Sequence, residues 1–443
     1  MSEELTTISV GPLPRVPPLA QGVSRRRRAK DLVAVNIGNA IEWFDWNVYA
    51  IFAPFFAVQF FNRSDPLSAM LSTLAIFGVG FLMRPIGGWV FGLIADKRGR
   101  RFSLTLAILL AAAGSLIIAL APTFTQVGVL ASAVLLMARL IQGLSHGGET
   151  GSAFTYLAEI SPDGKRGLWA STPWVGVAIG TMTATGLGFA FTTLLTADQM
   201  SDFGWRIPFF VGAALGVYGL VIRFRMAESD VYEQQDESPH SLTLKDTWRI
   251  LVEHRTAVKY IAILSTSGVA IFYTWFIFAP SYATTVHGVP PGQALLAGLL
   301  GQAVFLALIP VMGALSDRIG RRKMVFAYTL GFAALAFPLE LILGSSAVRL
   351  FLAMAVASTI LAVCCAPLGA IFTELVPTRV RATVVGITYG GFCAVFGGSA
   401  PYLNAWLSSV GLHYLFVTAL VGLSLLTAVI CRRMPETKGT PIR

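Results

Sequence analysis

The chain of 443 residues carries few charges, few histidines and few cysteines. Charged residues make up 13% of it, whereas an ordinary soluble domain carries about 25%. The five histidines and four cysteines show no metal-ligand spacing. The chain also lacks a G-x-x-x-x-G-K-[ST] phosphate loop and a G-x-S-x-G nucleophile elbow. These absences argue against a soluble fold, an ATP-driven pump and an enzyme, so we expect no catalytic residue and no metal ligand.

Apolar sequence is abundant instead. Hydrophobic residues make up 55% of the chain and the mean hydropathy is +0.69. Several apolar runs exceed the ~20 residues that an α-helix needs to cross a bilayer. We predict spans at about 33–60, 67–95, 102–122, 126–158, 168–195, 207–226, 257–283, 292–316, 324–344, 348–373, 382–408 and 411–431.

Two sequence motifs occur twice, in the same order. The first reads G-x-x-x-D-[KR]-x-G-R-R and spans Gly92 to Arg101 and Gly313 to Arg322. The second reads E-x-x-P-x-x-x-R and spans Glu159 to Arg166 and Glu374 to Arg381. Their offsets of 221 and 215 positions are similar, which indicates a doubled unit. We therefore predict an all-α integral membrane protein whose twelve transmembrane helices form two six-helix, pseudo-symmetric halves.

The basic residues predict the orientation of these spans. Only five of the 33 Lys and Arg residues lie away from the predicted cytoplasmic ends, which places both termini in the cytoplasm. These five are Arg63, Arg206 and Arg349 on the outer side and Arg84 and Arg139 within spans. The net charge of +10 is thus a topology signal and does not indicate nucleic-acid binding. The predicted segments are an N-terminal tail (1–31), a first half (32–226), a central loop (227–256), a second half (257–431) and a C-terminal tail (432–443).

The repeated motifs are the predicted gating sites. Asp96 follows the second span among basic residues. A carboxylate there can bind a helix N-terminus or an arginine of a neighbouring span in one conformation and release it in the other. The alternative is a charged turn that only fixes topology. The predicted gating residues are Gly92, Asp96, Arg100, Arg101, Glu159, Arg166, Gly313, Asp317, Arg321, Glu374 and Arg381.

Five ionisable residues are predicted to lie within the membrane, all in the first half. They are Glu42, Asp45, Arg84, Arg139 and Glu149. A charge at this depth is costly and usually faces a cavity or a partner. Three acids and two bases carry a net charge of −1, which one bound proton would neutralise. We predict that Asp45 carries the coupling proton, with Glu42 and Glu149 next; the alternative is a static salt-bridge network.

Arg139 is the predicted anchor for a substrate anion. Its fork of donors matches a carboxylate, and it begins a polar stripe with Gln142, His146 and Glu149. In the empty protein we expect Asp45 to balance the charge of Arg139 and to release it on protonation. The other predicted substrate-binding residues are Gln142, Trp46, Tyr49, Arg84, Tyr273, Trp275 and Tyr389.

The first half also carries longer motifs: Gly38-Asn39-x-x-Glu42-Trp43-Phe44-Asp45, Arg84-Pro85-x-Gly87-Gly88, Arg139-x-x-Gln142-Gly143 and Gly147-Gly148-Glu149-x-Gly151. With the doubled loop motif, they resemble the major facilitator superfamily and, within it, the metabolite:proton symporters. Relatives there include shikimate, α-ketoglutarate, citrate and proline/betaine permeases. The resemblance implies a monomeric symporter in the bacterial inner membrane that imports a small organic acid with protons and needs no cofactor. Two alternatives stay open: a proton-linked exporter of drugs or metabolites, and a transport-inactive membrane sensor.

Overall fold

Long apolar helices make up the fold, as the composition predicts. The computed structural model describes residues 25–62, 64–98, 100–147, 157–158, 160–224, 244–378 and 380–440, and no β-strand occurs among them. Eight helices in these segments are long and apolar enough to cross a membrane, and two shorter apolar helices cover Thr105–Leu120 and Val129–Ser145. The all-α membrane fold is therefore confirmed, while the count of twelve spans stays a prediction.

In the first half, a short helix precedes the fourth span. Gly128 has a φ of 62°, a conformation that favours glycine, and it separates a short helix from the span that follows. That span begins at Val129 rather than near residue 126. The elements are α1 (Arg25–Phe60), α2 (Pro66–Arg98), α3 (Arg100–Leu120), α4 (Phe124–Val127), α5 (Val129–Ser145), α6 (Arg166–Leu194), α7 (Ala197–Asp202), a 3₁₀ turn (Gly204–Arg206) and α8 (Ile207–Phe224).

In the second half, two predicted spans contain a π-helical turn. These turns, Tyr273–Phe278 and Cys393–Gly397, hold an extra residue per turn and are frequent at functional sites. The remaining elements are α9 (Leu244–Glu253), α10 (Arg255–Phe272), α11 (Ala279–His287), α12 (Pro291–Ile319), α13 (Arg321–Ile342), α14 (Ala347–Leu375), α15 (Arg381–Phe392), α16 (Gly398–Ser409) and α17 (His413–Cys431).

The two halves meet along α2 with the α15–α16 segment, and along α6 with α12. Glycines make both contacts close. A Cβ built on Gly398 would lie 2.9 Å from the Cα of Gly78, and one built on Gly313 would lie 2.8 Å from the carbonyl oxygen of Gly167. Small residues allow helix backbones to approach this closely in a membrane.

Helix α5 packs against α2 with the same closeness. A Cβ built on Gly143 would lie 2.0 Å from the carbonyl oxygen of Gly80, and one built on Gly147 would lie 2.1 Å from that of Arg84. Neither position can hold a side chain without the backbones moving apart. This approach brings the arginines of α2 and α5 into one region of the first half.

Helix α1 is fixed to α6 by polar side chains. The amide nitrogen of Asn39 donates to the carbonyl oxygen of Pro173 at 2.6 Å, and that of Asn47 donates to the hydroxyl of Thr181 at 2.9 Å. A Cβ built on Gly180 would lie 2.2 Å from the carbonyl oxygen of Ala40. These contacts set the position of α1, the helix that carries Asp45.

Candidate functional site

Asp45 is buried in the first half and held by two hydrogen-bond donors. The hydroxyl of Ser115, on α3, donates to its Oδ1. The amide nitrogen of Gln142, on α5, donates to its Oδ2 at 3.1 Å and to the hydroxyl of Ser115 at 2.8 Å. On α8, a Cβ built on Gly212 would lie 2.7 Å from Oδ1. The carboxylate thus sits among four helices, with little room around it.

Arg139 lies next to this carboxylate and is fully buried. Its Nη1 donates to the amide oxygen of Gln142 at 2.9 Å. Its Cζ lies 4.2 Å from the ring centroid of Trp46 and 4.3 Å from that of Tyr49. Desolvated cation–π contacts of this kind are worth about 2 kcal/mol. The Nε and Nη2 of Arg139 have no hydrogen-bond partner among the described residues.

Asp45 and Arg139 are near each other but do not contact directly. No ion pair joins them, although both residues belong to the described part of the chain. Gln142 lies between them, with its amide nitrogen on Asp45 and its amide oxygen on Arg139. A neutral side chain therefore links the acid and the base, which spacing along the sequence does not indicate.

Arg84 brings a second guanidinium to the same ring. Its Cζ lies 3.9 Å from the centroid of Trp46 and 4.6 Å from that of Phe81. Tyr273, in the first π-helical turn, meets Phe81 edge-on at 5.1 Å between centroids. The structure thus brings together six of the predicted site residues: Asp45, Trp46, Tyr49, Arg84, Arg139 and Gln142. Tyr273 adjoins them from the second half.

The polar stripe of α5 is packed into the protein and does not line an open channel. His146 follows the last residue of the helix, and its Nδ1 lies 2.7 Å from the carbonyl oxygen of Gln142. Its Nε2 lies 3.4 Å from the carbonyl oxygen of Glu42, whose residue is half-buried. Glu149, the last member of the predicted stripe, lies outside the described residues.

A small cavity lies between the halves, beside Tyr273. Trp43 and Trp174 line it from the first half, and Tyr273 and Tyr389 from the second. Its volume is about 10 Å³, roughly the room that one water needs. Trp275 is buried in the same π-helical turn but is not among the lining residues. A metabolite would fit only after the halves move apart.

One copy of the loop motif forms a contact between the halves. Asp317, in the last turn of α12, accepts the backbone N–H of Gly167 at 2.7 Å and that of Leu168 at 2.9 Å. These N–H groups open α6, so a carboxylate caps a helix N-terminus that belongs to the other half. Arg321 donates to the same carboxylate at 2.9 Å.

The second motif completes this network. Arg166 donates to Glu374 at 2.9 Å, and Arg321 donates to the same oxygen at 3.1 Å. The buried guanidinium of Arg321 is thus shared between the carboxylates of Asp317 and Glu374. Three predicted gating residues of the second half, Asp317, Arg321 and Glu374, therefore meet Arg166 at one place.

The symmetry-related gating residues are described only in part. Arg381 is buried, and its Nε donates to the carbonyl oxygen of Val376 at 3.1 Å. Glu159 lies outside the described residues. For four others the structure describes only that they belong to helices; they are Gly92, Asp96, Arg100 and Arg101.

The C-terminal tail docks on the network of Asp317, and sequence reasoning missed it. Glu436 accepts the backbone N–H of Arg321 at 2.8 Å and so caps α13. Thr437 donates to Glu374 at 2.6 Å, and Arg166 donates to the carbonyl oxygen of Thr440 at 2.9 Å. The sequence signal for this docking is an acidic residue in a basic tail, because Glu436 follows Arg432 and Arg433.

Known proteins are similar to this chain in sequence and in fold. The sequence model of the Major Facilitator Superfamily matches residues 35–400 and 293–442. The chain belongs to this superfamily. An α-ketoglutarate permease of Escherichia coli K12 is 34% identical over 92% of this chain and 94% of its own length. The inner membrane metabolite transport protein YhjE of the same strain is 33% identical over 91% and 94%. A proline/betaine transporter of Salmonella typhimurium LT2 is 32% identical over 94% and 85%.

The fold of this superfamily member also matches solved structures. The proton:xylose symporter XylE, bound to 6-bromo-6-deoxy-D-glucose, superposes with a TM-score of 0.74 at 17% identity, covering 94% of this chain and 97% of XylE. Together with its relatives, this makes the chain a multi-pass membrane protein and a secondary transporter of small molecules, not an enzyme.

Two further residues of the transporter site carry weak sequence signals. Ser115 is a single small hydroxyl within an apolar span, and Gly212 is one of several glycines in another. Their importance arises from helix packing, which places both beside the carboxylate of Asp45. A polar residue in the middle of an apolar span was the only available signal for Ser115.

Proposed function

We propose that this transporter is a proton-coupled symporter that imports a small organic anion, a carboxylate, across the bacterial inner membrane by alternating access. The observation that carries the proposal is the buried chain Asp45–Gln142–Arg139, in which one amide touches both an acid and a base. Protons are the coupling ion, and no cofactor is required.

The free edge of Arg139 supports an anionic substrate. Its Nε and Nη2 form the side of the guanidinium that binds a carboxylate through two parallel hydrogen bonds, and neither has a partner among the described residues. A buried donor without a partner costs about 1–3 kcal/mol, which a bound carboxylate would recover. Arg84 adds a second positive charge beside Trp46. The similarity to an α-ketoglutarate permease agrees with this substrate class.

The surroundings of Asp45 support a proton site. Two neutral donors, Ser115 and Gln142, contact its carboxylate, and no guanidinium in the described part of the chain does so directly. A bound proton would therefore neutralise it without breaking an ion pair. Glu42 and Glu149 remain the next candidates for the coupling proton.

The repeated motifs support a gate at one end of the bundle. Asp317 caps α6 across the halves. The offsets of the two motifs make Asp96 the equivalent of Asp317, and Ala382 and Thr383 the equivalents of Gly167 and Leu168. We therefore propose that Asp96 caps α15 in the same way, and that both caps break when this end opens.

In this proposal the gate faces the cytoplasm, and both termini are cytoplasmic. The functional unit is a monomer with the segment boundaries predicted above. Single cysteines in 198–204 and 287–292 should then react with an impermeant maleimide in intact cells, and cysteines in 317–322 should not. Reaction at 317–322 would reverse the orientation.

Uptake into proteoliposomes tests the function. The panel contains labelled organic acids and zwitterions and begins with α-ketoglutarate. We expect an organic acid to accumulate when the proton gradient is directed inward, and not to accumulate without this gradient. Accumulation of a zwitterion alone would reject the carboxylate. A proton-linked exporter would instead confer resistance that is lost on deletion, and a transport-inactive sensor would move no compound.

Arg139→Lys tests the anion site within this experiment. Lysine keeps the charge but lacks the planar fork that holds a carboxylate through two bonds. We expect most uptake to be lost and the apparent substrate constant to rise by about tenfold or more, equivalent to roughly 1.4 kcal/mol. Normal binding by Arg139→Lys would show that Arg139 pairs only with acids of the protein.

A further inference from the structure

The contacts of Gln142 differ from those expected of a residue that binds substrate directly. Its amide oxygen accepts Nη1 of Arg139 at 2.9 Å, and its amide nitrogen donates to Asp45 at 3.1 Å and to Ser115 at 2.8 Å. The residue is fully buried. Both ends of the amide are thus occupied by the protein, and each end faces a group of opposite hydrogen-bonding character.

We propose that Gln142 is the positioning residue that couples the proton to the substrate, by exchanging the orientation of its amide. This proposal rests on the proposed function and adds the element that transmits protonation of Asp45 to Arg139. Its first step is protonation of Asp45 with rotation of the amide, and its second step is the release of Arg139.

The first step changes the character of Asp45. When a proton binds at Oδ2, the carboxyl becomes a donor towards the amide nitrogen of Gln142, which is also a donor. Two donors 3.1 Å apart cannot bond. Rotation of the amide by half a turn places its oxygen towards Asp45 and Ser115. There it accepts the new carboxyl O–H of Asp45, and it accepts the hydroxyl of Ser115 once that hydroxyl turns its single hydrogen away from Oδ1.

The second step frees Arg139. The rotated amide presents its NH₂ group to Nη1, so the 2.9 Å hydrogen bond is lost and all three nitrogens of the guanidinium lack an acceptor among the described residues. A substrate carboxylate supplies two acceptor oxygens and a negative charge to this guanidinium. Proton and anion therefore favour each other, and the same amide opposes binding of either one alone.

The other charged or titratable groups described near Gln142 do not contact its amide. The remaining charged or titratable groups near the hydrogen-bonded series Asp45–Gln142–Arg139 are Tyr49 of α1, Arg84 of α2, His146 after α5 and Tyr273 of the π-helical turn. His146 contacts the backbone carbonyl of Gln142 and not its amide. From α3 and α8, the contacts are Ser115 and Gly212, which carry no charge.

The test is the pH dependence of substrate affinity, measured with the labelled carboxylate that accumulates in the uptake panel. In the wild-type protein the dissociation constant should rise with pH by up to about tenfold per pH unit while Asp45 is ionised. Gln142→Met keeps an unbranched side chain of similar length but cannot exchange a donor for an acceptor. We expect its dissociation constant to change by less than about twofold over the same pH range.

The controls separate this relay from other roles. Gln302→Leu removes a buried glutamine of the second half that donates to the carbonyl oxygen of Phe276, and it should keep the wild-type pH dependence. Gln142→Leu also lacks a donor and an acceptor, and it shows whether the result depends on the methionine side chain itself. If Gln142→Met weakens binding equally at every pH, Gln142 is a substrate ligand and the relay is wrong. If it keeps the wild-type profile, the charge of Asp45 acts on Arg139 through space and the relay is also wrong.

Failure of the relay and failure of the proposed function give different results. If Asp45→Asn abolishes the pH dependence and Gln142→Met does not, proton coupling at Asp45 stands and only the relay falls. If the wild-type protein binds no carboxylate, or binds one equally at every pH, the proposed function falls and the relay falls with it.

Discussion

Asp317→Asn should open the contact between the halves. Asp317 accepts two backbone N–H groups of α6 and one N–H of Arg321. Asparagine keeps one accepting oxygen, turns an NH₂ group towards another donor and removes the charge. A hydrogen bond to a charged group is worth about 1.5–3 kcal/mol, and a charge at a helix N-terminus about 0.3–2 kcal/mol. The closed state should lose about 2–4 kcal/mol, which shifts its equilibrium by roughly 30- to 700-fold.

Ser171 reports this opening. It is fully buried on α6, and a Cβ built on Gly313 would lie 2.5 Å from its hydroxyl oxygen. In a background without the four native cysteines, Ser171→Cys should react with a maleimide at least about 30-fold faster when combined with Asp317→Asn. Asp198→Asn, which changes an exposed acid in the first turn of α7, is the matched control and should leave the rate unchanged. An unchanged rate in the Asp317→Asn protein would refute the gating role of this cap.

The remaining predictions concern the other cap and the tail. Asp96→Asn should sharply reduce uptake normalised to membrane abundance; near-normal uptake would reduce the motif to a topology element. Burial alone would raise the pKa of Glu436, but backbone N–H donors from Arg321, Lys438 and Arg322 and the charge of Arg321 lower it below its ordinary value. Docking of the tail is then complete above the ordinary glutamate pKa of about 4.3 and is lost as the pH falls through the lower native value. At neutral pH, Glu436→Gln should speed tryptic cleavage after Lys438, detected by intact mass; an unchanged rate would show that the tail docks without this charge.

The repeats and the intramembrane charges could be predicted from the sequence because each leaves a local signal. Asp317, Arg321, Glu374 and Arg166 belong to motifs that recur in both halves, and the structure joins them in one network. Asp45 stands out as a charge in an apolar span. These signals depend on residue type and spacing, which the sequence contains.

The contacts within the site could not be predicted in the same way. Gln142 separates Asp45 from Arg139 because α1, α3 and α5 cross at particular angles, and the orientation of its amide depends on all its partners together. The π-helical turns insert a residue without altering the apolar pattern, so the sequence predicts unbroken helices there. The helix break at Gly128 depends on a positive φ, which most glycines of this chain do not adopt.

In the proposed mechanism, a proton on Asp45 drives substrate uptake. The direct test is transport by Asp45→Asn in proteoliposomes, measured as uphill accumulation under a pH gradient and as exchange of internal for external substrate at equal pH. We predict that accumulation disappears while exchange persists, because exchange requires no net movement of protons. Accumulation by Asp45→Asn that a protonophore still collapses would contradict the claim and move the proton site to another acid.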